Sequence, residues 1–255
     1  HLLVMTPEGL VSVDLASQTA TAIDYYDGPE FDHAQLGALA YSPSVDLLAD
    51  AVVYPATYGV SEVDLVEIGL VGPDGVRESI VQIPGGSSVL AHSLKWSPDG
   101  QRLLWIANVG SQEAGPVHLA DLETQLWMID FAGGDARMLA VLGQGVEVVY
   151  PAVWSPDSLS IAALFVEPRD GGKSASYGFI IDAESGAKWP FTRFDDGQLS
   201  HLTWAPNGQR VAFTVAKGAY GEIWATRLDG TQPYPVAGPT FPDAPFVWLS
   251  ESGEE

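Results

Sequence analysis

The chain has 255 residues, of which 46% are hydrophobic, and this is enough to build a sizeable core in one domain. Asp and Glu number 33 against 11 Lys and Arg, and the formal net charge of −22 argues against nucleic acid as a partner because its phosphates would be repelled. The absence of cysteine excludes disulfides and thiolate metal sites, and no apolar run is long enough to span a bilayer.

Three short β-strands are predicted first, over residues 2–5, 10–15 and 19–23. They are rich in Leu, Val, Ile and Thr, and the stretch Thr-Pro-Glu-Gly over 6–9 is a turn signal between the first two. The segment 24–33 follows, in which aromatic residues alternate with carboxylates.

A short motif then recurs at intervals of about fifty residues, and its fullest copy is Trp-Ser-Pro-Asp-Gly over 96–100. Related stretches begin at Tyr41, Trp154, Trp204 and Trp248. Proline presets φ, Asp or Asn bonds nearby amides, and Gly accepts a positive φ, so each copy predicts a tight hairpin. The aromatic residue before the turn is large and flat enough to pack between two sheets.

Repeats of this length predict a β-propeller of four-stranded antiparallel blades. Complete blades are expected over about 36–84, 91–142, 149–194 and 199–236. A fifth blade is expected to be shared, with outer strands from 2–24 and the innermost strand from 245–250, which closes the ring and hides sheet edges. The sequence thus predicts one all-β domain over 1–255, a five-bladed propeller.

The repeat resembles the TolB-type, WD40-like (PD40) propeller repeats of bacterial envelope proteins. The copies at Trp96 and Trp204 are close to that pattern, whereas Tyr41 replaces the tryptophan and Ser158 stands in place of the glycine. The resemblance implies a periplasmic adaptor, a gating domain of peptidases of the prolyl-oligopeptidase or tricorn type, or a module of a larger lipoprotein. No Gly-x-Ser-x-Gly motif of a hydrolase nucleophile is present.

Two of the five histidines, His92 and His201, lie just before Trp96 and Trp204 and are predicted at the mouth of the central channel. They stand four and three residues before their tryptophans, so strand alternation points them to opposite faces and disfavours a shared metal site. No Asp-x-Asp-x-Asp-Gly run offers a calcium loop, so no metal or other cofactor is expected. The acidity indicates either solubility in a secreted or salt-exposed protein, or acidic loops that bind calcium or a basic partner.

The connections between blades are predicted to gather on one rim, where aromatic and charged residues could recognise a partner. The expected partner-binding residues are Tyr25, Tyr26, Phe31, Asp32, Arg193, Asp195, Phe241 and Asp243. The alternative is that these aromatic rings only cover the ends of strands.

A second function is a carbohydrate-active propeller, either a glycoside hydrolase or a sugar-binding protein. Five-bladed propellers include glycoside hydrolases with carboxylates at the channel mouth, and paired carboxylates can perform acid–base chemistry on a sugar. Asp32, Glu147 and Asp243 are the candidates for that role.

The first expectation is a non-enzymatic binding or scaffold domain that mediates protein–protein interaction in a bacterial envelope or surface assembly. The chain begins at His1 rather than Met, which is typical of a processed chain whose signal peptide or lipid anchor has been removed. The expected location is extracytoplasmic, whether periplasmic, secreted or anchored to the cell surface.

Overall fold

All regular structure that a computed structural model describes in this chain is β. The twenty strands pair antiparallel, and no helix occurs in the described part, so none there could span a membrane. The described residues are 2–6, 9–14, 16–17, 19–23, 35–54, 65–72, 76–84, 90–109, 123–131, 135–144, 148–149, 152–169, 173–195, 198–228, 233–241 and 246–248.

The strands form five sheets, which we number 1 to 5 in chain order. Sheet 1 contains β1 (Leu2–Thr6), β2 (Gly9–Asp14) and β3 (Thr19–Ile23). Sheet 2 contains β4 (Gln35–Ser42), β5 (Leu47–Tyr54), β6 (Leu65–Val71) and β7 (Arg77–Pro84). Sheet 3 contains β8 (Leu90–Trp96), β9 (Arg102–Val109), β10 (Glu123–Asp130) and β11 (Ala136–Gln144).

Sheets 4 and 5 complete the described strands. Sheet 4 contains β12 (Val148–Val149), β13 (Val153–Trp154), β14 (Ser160–Arg169), β15 (Lys173–Asp182) and β16 (Lys188–Phe194). Because β12 and β13 both pair with β14, one after the other, they act as a single interrupted strand. Sheet 5 contains β17 (Gln198–Trp204), β18 (Arg210–Lys217), β19 (Tyr220–Arg227) and β20 (Tyr234–Thr240). The predicted all-β fold with four-stranded antiparallel sheets is confirmed.

The predicted closure by a shared blade is not seen in the described residues. Sheet 1 has three strands there, and residues 246–248 belong to no strand. The indole nitrogen of Trp248 is buried without a hydrogen-bond partner. A five-blade count, closure of the ring and a single domain over 1–255 therefore stay predictions.

Sheets 2 to 5 pack against one another in chain order, with their innermost strands β4, β8, β13 and β17 in successive contact. An apolar layer fills each interface; Ile68 and Trp105 lie between sheets 2 and 3, and Leu164 and Phe213 lie between sheets 4 and 5. The second strand of a sheet is covered on both faces, as Leu103 to Ala107 show by their complete burial. Such strands therefore read as continuous apolar runs in the sequence.

The Trp-Ser-Pro-Asp-Gly turn is shaped by Ser97 and Asp99. The Ser97 amide donates to the carbonyl of Arg102 at 2.9 Å, and its hydroxyl oxygen accepts from the Arg102 amide at 3.0 Å. Asp99 accepts from the Gln101 amide at 3.0 Å, and Gly100 has φ of +72°. Only glycine adopts that left-handed conformation without a steric cost.

Three of the head tryptophans, Trp96, Trp154 and Trp204, are fixed to the preceding sheet by the indole N–H. The acceptor is always the carbonyl of the residue just before the preceding aromatic head. The three bonds run from Trp96 to Ala40 (3.1 Å), from Trp154 to Lys95 (3.0 Å) and from Trp204 to Val153 (3.0 Å). These three tryptophans thus lie between two sheets, as the sequence predicts, whereas the head Tyr41 is 49% exposed.

The innermost strands of sheets 2 to 5 share an irregularity shortly before the head aromatic. Each has one residue more than the strand it pairs with, so the register shifts between residues 36 and 38, 91 and 93, 149 and 153, and 200 and 203. Such β-bulges bend a strand and re-aim its side chains.

Candidate functional site

Most of the predicted rim patch lies outside the described residues. This holds for Tyr25, Tyr26, Phe31, Asp32 and Asp243, and also for Glu147 of the carbohydrate-active alternative. The structure therefore does not test a rim patch built from these residues or a pair of catalytic carboxylates.

Arg193 and Asp195 lie at the end of β16, where the chain passes from sheet 4 to sheet 5. The guanidinium Nη2 lies 2.8 Å from Asp195 Oδ1, and both side chains are more than half exposed. Phe241 directly follows β20, and its side chain is 81% exposed.

His92 and His201, the two histidines predicted at the channel mouth, both lie at bulges. His92 is the extra residue of β8, and His201 lies in the bulge of β17 with φ of +47°. A bulge interrupts the alternation of side chains along a strand, so the opposite orientation of the two histidines stays a prediction. His201 Nδ1 is 3.2 Å from the Ser200 hydroxyl. Within the described residues, no group of three His, Asp or Glu side chains is arranged to hold a metal ion.

The site that the structure adds is a cleft of about 630 Å³ along β16, which we call the β16 cleft. Its residues come from sheets 4 and 5, and most are aromatic rings or prolines. They are Tyr177, Phe179, Pro190, Phe191, Thr192, Arg193, Phe194, Trp224 and Pro233. Of these, the sequence analysis predicts only Arg193 as a partner-binding residue.

A stack of three rings stands behind one wall of the β16 cleft. Phe165 lies parallel to Tyr177 and to Phe179, with ring centroids 5.0 and 5.1 Å apart. The Tyr177 hydroxyl donates to Glu167 at 2.8 Å, and the Arg193 guanidinium lies 5.5 Å from the Tyr177 ring centroid. Tyr177 and Asp195 together therefore hold the orientation of Arg193.

The other wall is built around Trp224 of β19. Phe194 meets Trp224 edge-on at 5.2 Å, and the indole N–H donates to Glu222 at 2.9 Å. Lys217 lies 2.8 Å from the same carboxylate. The hydrogen bond from Lys217, with that from Trp224, lowers the pKa of Glu222.

The β16 cleft offers apolar faces together with a few groups for hydrogen bonding. The Thr192 hydroxyl is buried and has no hydrogen-bond partner among the described atoms. β16 is also the last strand of sheet 4 in the described part of the chain, so its backbone forms a sheet edge. This arrangement suits a ligand that has both apolar surface and backbone-like polar groups.

Sequence reasoning missed the cleft because its walls are far apart in the chain. The only local signal is the alternation of Tyr177 and Phe179, which is equally typical of a core strand. Trp224 joins the site through the packing of sheet 5 on sheet 4, and no spacing in the sequence reveals that contact.

No protein-family model and no curated protein matches the chain. Among solved structures, an oligogalacturonate lyase in complex with manganese matches at 13% identity with a TM-score of 0.61, covering 89% of this chain and 58% of the lyase. Dipeptidyl peptidase 4 from Porphyromonas gingivalis matches at 12% identity and 0.60, covering 91% and 37%. The β-propeller domain of the trilobed protease from Pyrococcus furiosus, described as an open velcro topology, matches at 15% and 0.51, covering 80% and 57%.

At these identities the likeness shows the fold alone, and it supports a β-propeller. The chain spans only 33% to 58% of the length of the first four solved structures that it matches. TolB from Acinetobacter baumannii is also matched, at 16% identity with a TM-score of 0.49, and this similarity is too low to show a common family. Membership of the TolB-type repeat family is therefore not confirmed.

The prediction that the chain is not an enzyme is wrong, because several proteins of similar fold are enzymes. The matched structures include a lyase, a dipeptidyl peptidase and acylaminoacyl peptidases. A propeller of this type therefore does not exclude catalytic activity.

Proposed function

We propose that this domain binds an extended segment of a partner protein in the β16 cleft. The observation that carries the proposal is an aromatic cleft that runs beside the edge strand of a sheet. An extended segment can pair with such an edge through its main chain while alternate side chains enter the cleft. The aromatic faces then supply apolar contact area, and the exposed guanidinium of Arg193 supplies polar contacts.

Pro190 limits where such a segment can pair with β16. Proline has no N–H to donate, so the uninterrupted backbone partners lie between Phe191 and Phe194. The same feature opposes edge-to-edge pairing of two copies, because proline on an edge strand blocks a continuous ladder. The edge is therefore short and suits a segment of a few residues.

A peptide fits the β16 cleft better than a sugar does. Aromatic faces bind both classes, but a sugar also needs many directed hydrogen bonds from side chains. Here the Tyr177 hydroxyl and the Trp224 indole are already engaged with Glu167 and Glu222. A peptide can instead obtain its hydrogen bonds from the backbone of β16.

An extracytoplasmic location in a bacterial envelope or surface assembly is part of the same proposal. Its support is the resemblance of the Trp-Ser-Pro-Asp-Gly repeats to those of envelope propellers, together with a net charge of −22. A strongly charged surface keeps a protein soluble, which suits a domain that meets its partner by diffusion.

The test begins with selection of peptides from a displayed random library on the immobilised domain. The dissociation constant of an enriched peptide is then measured by calorimetry with the wild type and with Tyr177→Ala. We expect the substitution to weaken binding about tenfold or more, since a lost aromatic anchor removes at least ~1.4 kcal/mol.

Tyr41→Ala is the matched control. Tyr41 is also a tyrosine whose hydroxyl donates to a carboxylate, that of Asp46 at 2.6 Å, but it lies in sheet 2. Equal loss of affinity in both variants, or a library that yields no binder, contradicts the proposal. Binding of an oligosaccharide that Tyr177→Ala abolishes would instead favour the carbohydrate alternative.

A further inference from the structure

Two arginines face each other at the turn end of sheet 5. Arg210 of β18 and Arg227 of β19 are directly paired in the strand register, so their side chains leave the same face of the sheet as neighbours. Like charges in this position destabilise a sheet. Within the described residues, neither guanidinium forms an ion pair.

The corresponding positions in sheets 3 and 4 carry a different combination of charges. These positions are identified by a backbone hydrogen bond that recurs in sheets 3, 4 and 5. In that order, the bonds run from Phe131 to Gln101, from Ala183 to Leu159 and from Leu228 to Gln209, with the amide as donor and the carbonyl as acceptor. The residue before the donor is Asp130 in sheet 3 and Asp182 in sheet 4, but Arg227 in sheet 5.

In sheet 3, the charge of the corresponding arginine is balanced by a carboxylate. Arg102 is the counterpart of Arg210, and its Nε lies 3.1 Å from Asp130 Oδ2. Its Nη1 also donates to the carbonyl of Ser158 in sheet 4 at 3.1 Å. In sheet 5 the counterpart of that carboxylate is replaced by a second cation.

The two arginines also border open space. A cleft of about 460 Å³ is lined by both guanidinium-bearing residues and by the turn residues beside them. The lining residues are Gly208, Gln209, Arg210, Arg227 and Leu228. In a chain with only 11 Lys and Arg against 33 Asp and Glu, two adjacent unpaired arginines beside a cleft are an unusual concentration of positive charge.

We infer that Arg210 and Arg227 form a binding site for an oxyanion, a carboxylate or a phosphate group of a ligand. Guanidinium groups bind both classes through pairs of parallel hydrogen bonds, and one anion between two arginines supplies the charge that Asp130 supplies to Arg102. The site is separate from the β16 cleft and does not depend on the function proposed for it.

The decisive variant is Arg227→Asp, which recreates in sheet 5 the arginine–aspartate pair of sheet 3. Thermal unfolding is followed in a buffer with chloride alone, then with millimolar inorganic phosphate or succinate at constant ionic strength. We expect the wild-type Tm to rise by about 2–4 °C in phosphate, succinate or both. We expect Arg227→Asp to have a higher Tm than the wild type in chloride and no response to either anion.

The two anions distinguish a phosphate site from a carboxylate site, and Arg193→Gln is the control for loss of an exposed arginine elsewhere. That control should keep the full wild-type response. A wild type that responds to neither anion overturns the inference. So does an Arg227→Asp variant with a lower Tm in chloride, because Arg227 would then be serving as the partner of a carboxylate of this chain.

Discussion

At the scale of single residues, the indole N–H of the head tryptophan sets how one sheet lies on the next. A phenyl ring could fill much of the same space, but it could not bond the carbonyl that precedes the neighbouring head. Trp154 is 8% exposed and bonds Lys95 of sheet 3 at 3.0 Å. The tryptophan therefore fixes the position of one sheet on the next and also supplies apolar contact.

Trp154→Phe tests this contribution. The substitution removes the donor to the Lys95 carbonyl and leaves a small void, so we expect the free energy of unfolding to fall by about 2 kcal/mol. Urea denaturation measures the change. Trp189→Phe is the control, since that ring is 42% exposed and its loss should stay within about 0.5 kcal/mol. A similar loss in both variants would assign no role to the hydrogen bond.

Single residues also show a limit of pattern recognition. Ser158 replaces the glycine of the turn, yet it adopts φ of +62°, close to the +69° of Gly208. The turn keeps its shape because Ser155 and Asp157 make the same bonds as Ser97 and Asp99. A missing glycine therefore does not identify a different turn.

At the scale of elements, sheet 2 is tied together by a buried cluster of charges on three adjacent strands. Asp50 of β5 is fully buried, and its carboxylate lies 2.8 Å from Nη2 of Arg77 on β7. Arg77 also bonds Glu67 on β6, and Gly69 leaves the room that the guanidinium occupies. Burial alone lowers the pKa of Arg77, but bonds to Asp50 and Glu67 outweigh it and raise the pKa.

Arg77→Met is expected to cost about 3–5 kcal/mol, because it removes the cation that balances the buried charge of Asp50. Chemical denaturation at neutral pH measures the loss. Arg193→Met removes an arginine from an ion pair that is more than half exposed, and it should cost less than about 1 kcal/mol. Equal effects would show that burial of the cluster has no energetic weight.

The elements also explain what could be predicted from the sequence. Runs such as Ile161 to Val166 mark second strands that are buried on both faces, and the turn motif marks the hairpins. The bulges before the head aromatics have no such signature, so counting residues along these strands could not reveal them. The β16 cleft depends on contacts between strands of different sheets, which no local pattern contains.

At the scale of the whole molecule, the open question is how sheet 1 meets the far end of the chain. Trp248 is the fifth aromatic head, and the other tryptophan heads all bond the preceding sheet. By the same rule its partner would be the carbonyl of Thr203, yet its indole nitrogen has no partner in the described structure.

Two truncations test the predicted closure. Deletion of residues 246–255 removes the head and the strand expected to complete sheet 1, so we expect a lower Tm for the entire unfolding transition. Deletion of residues 251–255 removes only the acidic tail and should leave Tm nearly unchanged. If calorimetry finds the two truncated chains equally stable, the shared-blade closure is wrong.

The tryptophan bonds between sheets all point the same way along the chain. In each pair the donor belongs to the later sheet and the acceptor to the earlier one. During synthesis on the ribosome, each of these three tryptophans therefore emerges after the residue whose carbonyl it bonds. Assembly can proceed one sheet at a time from the N-terminal side, and the order of translation is also the order of docking.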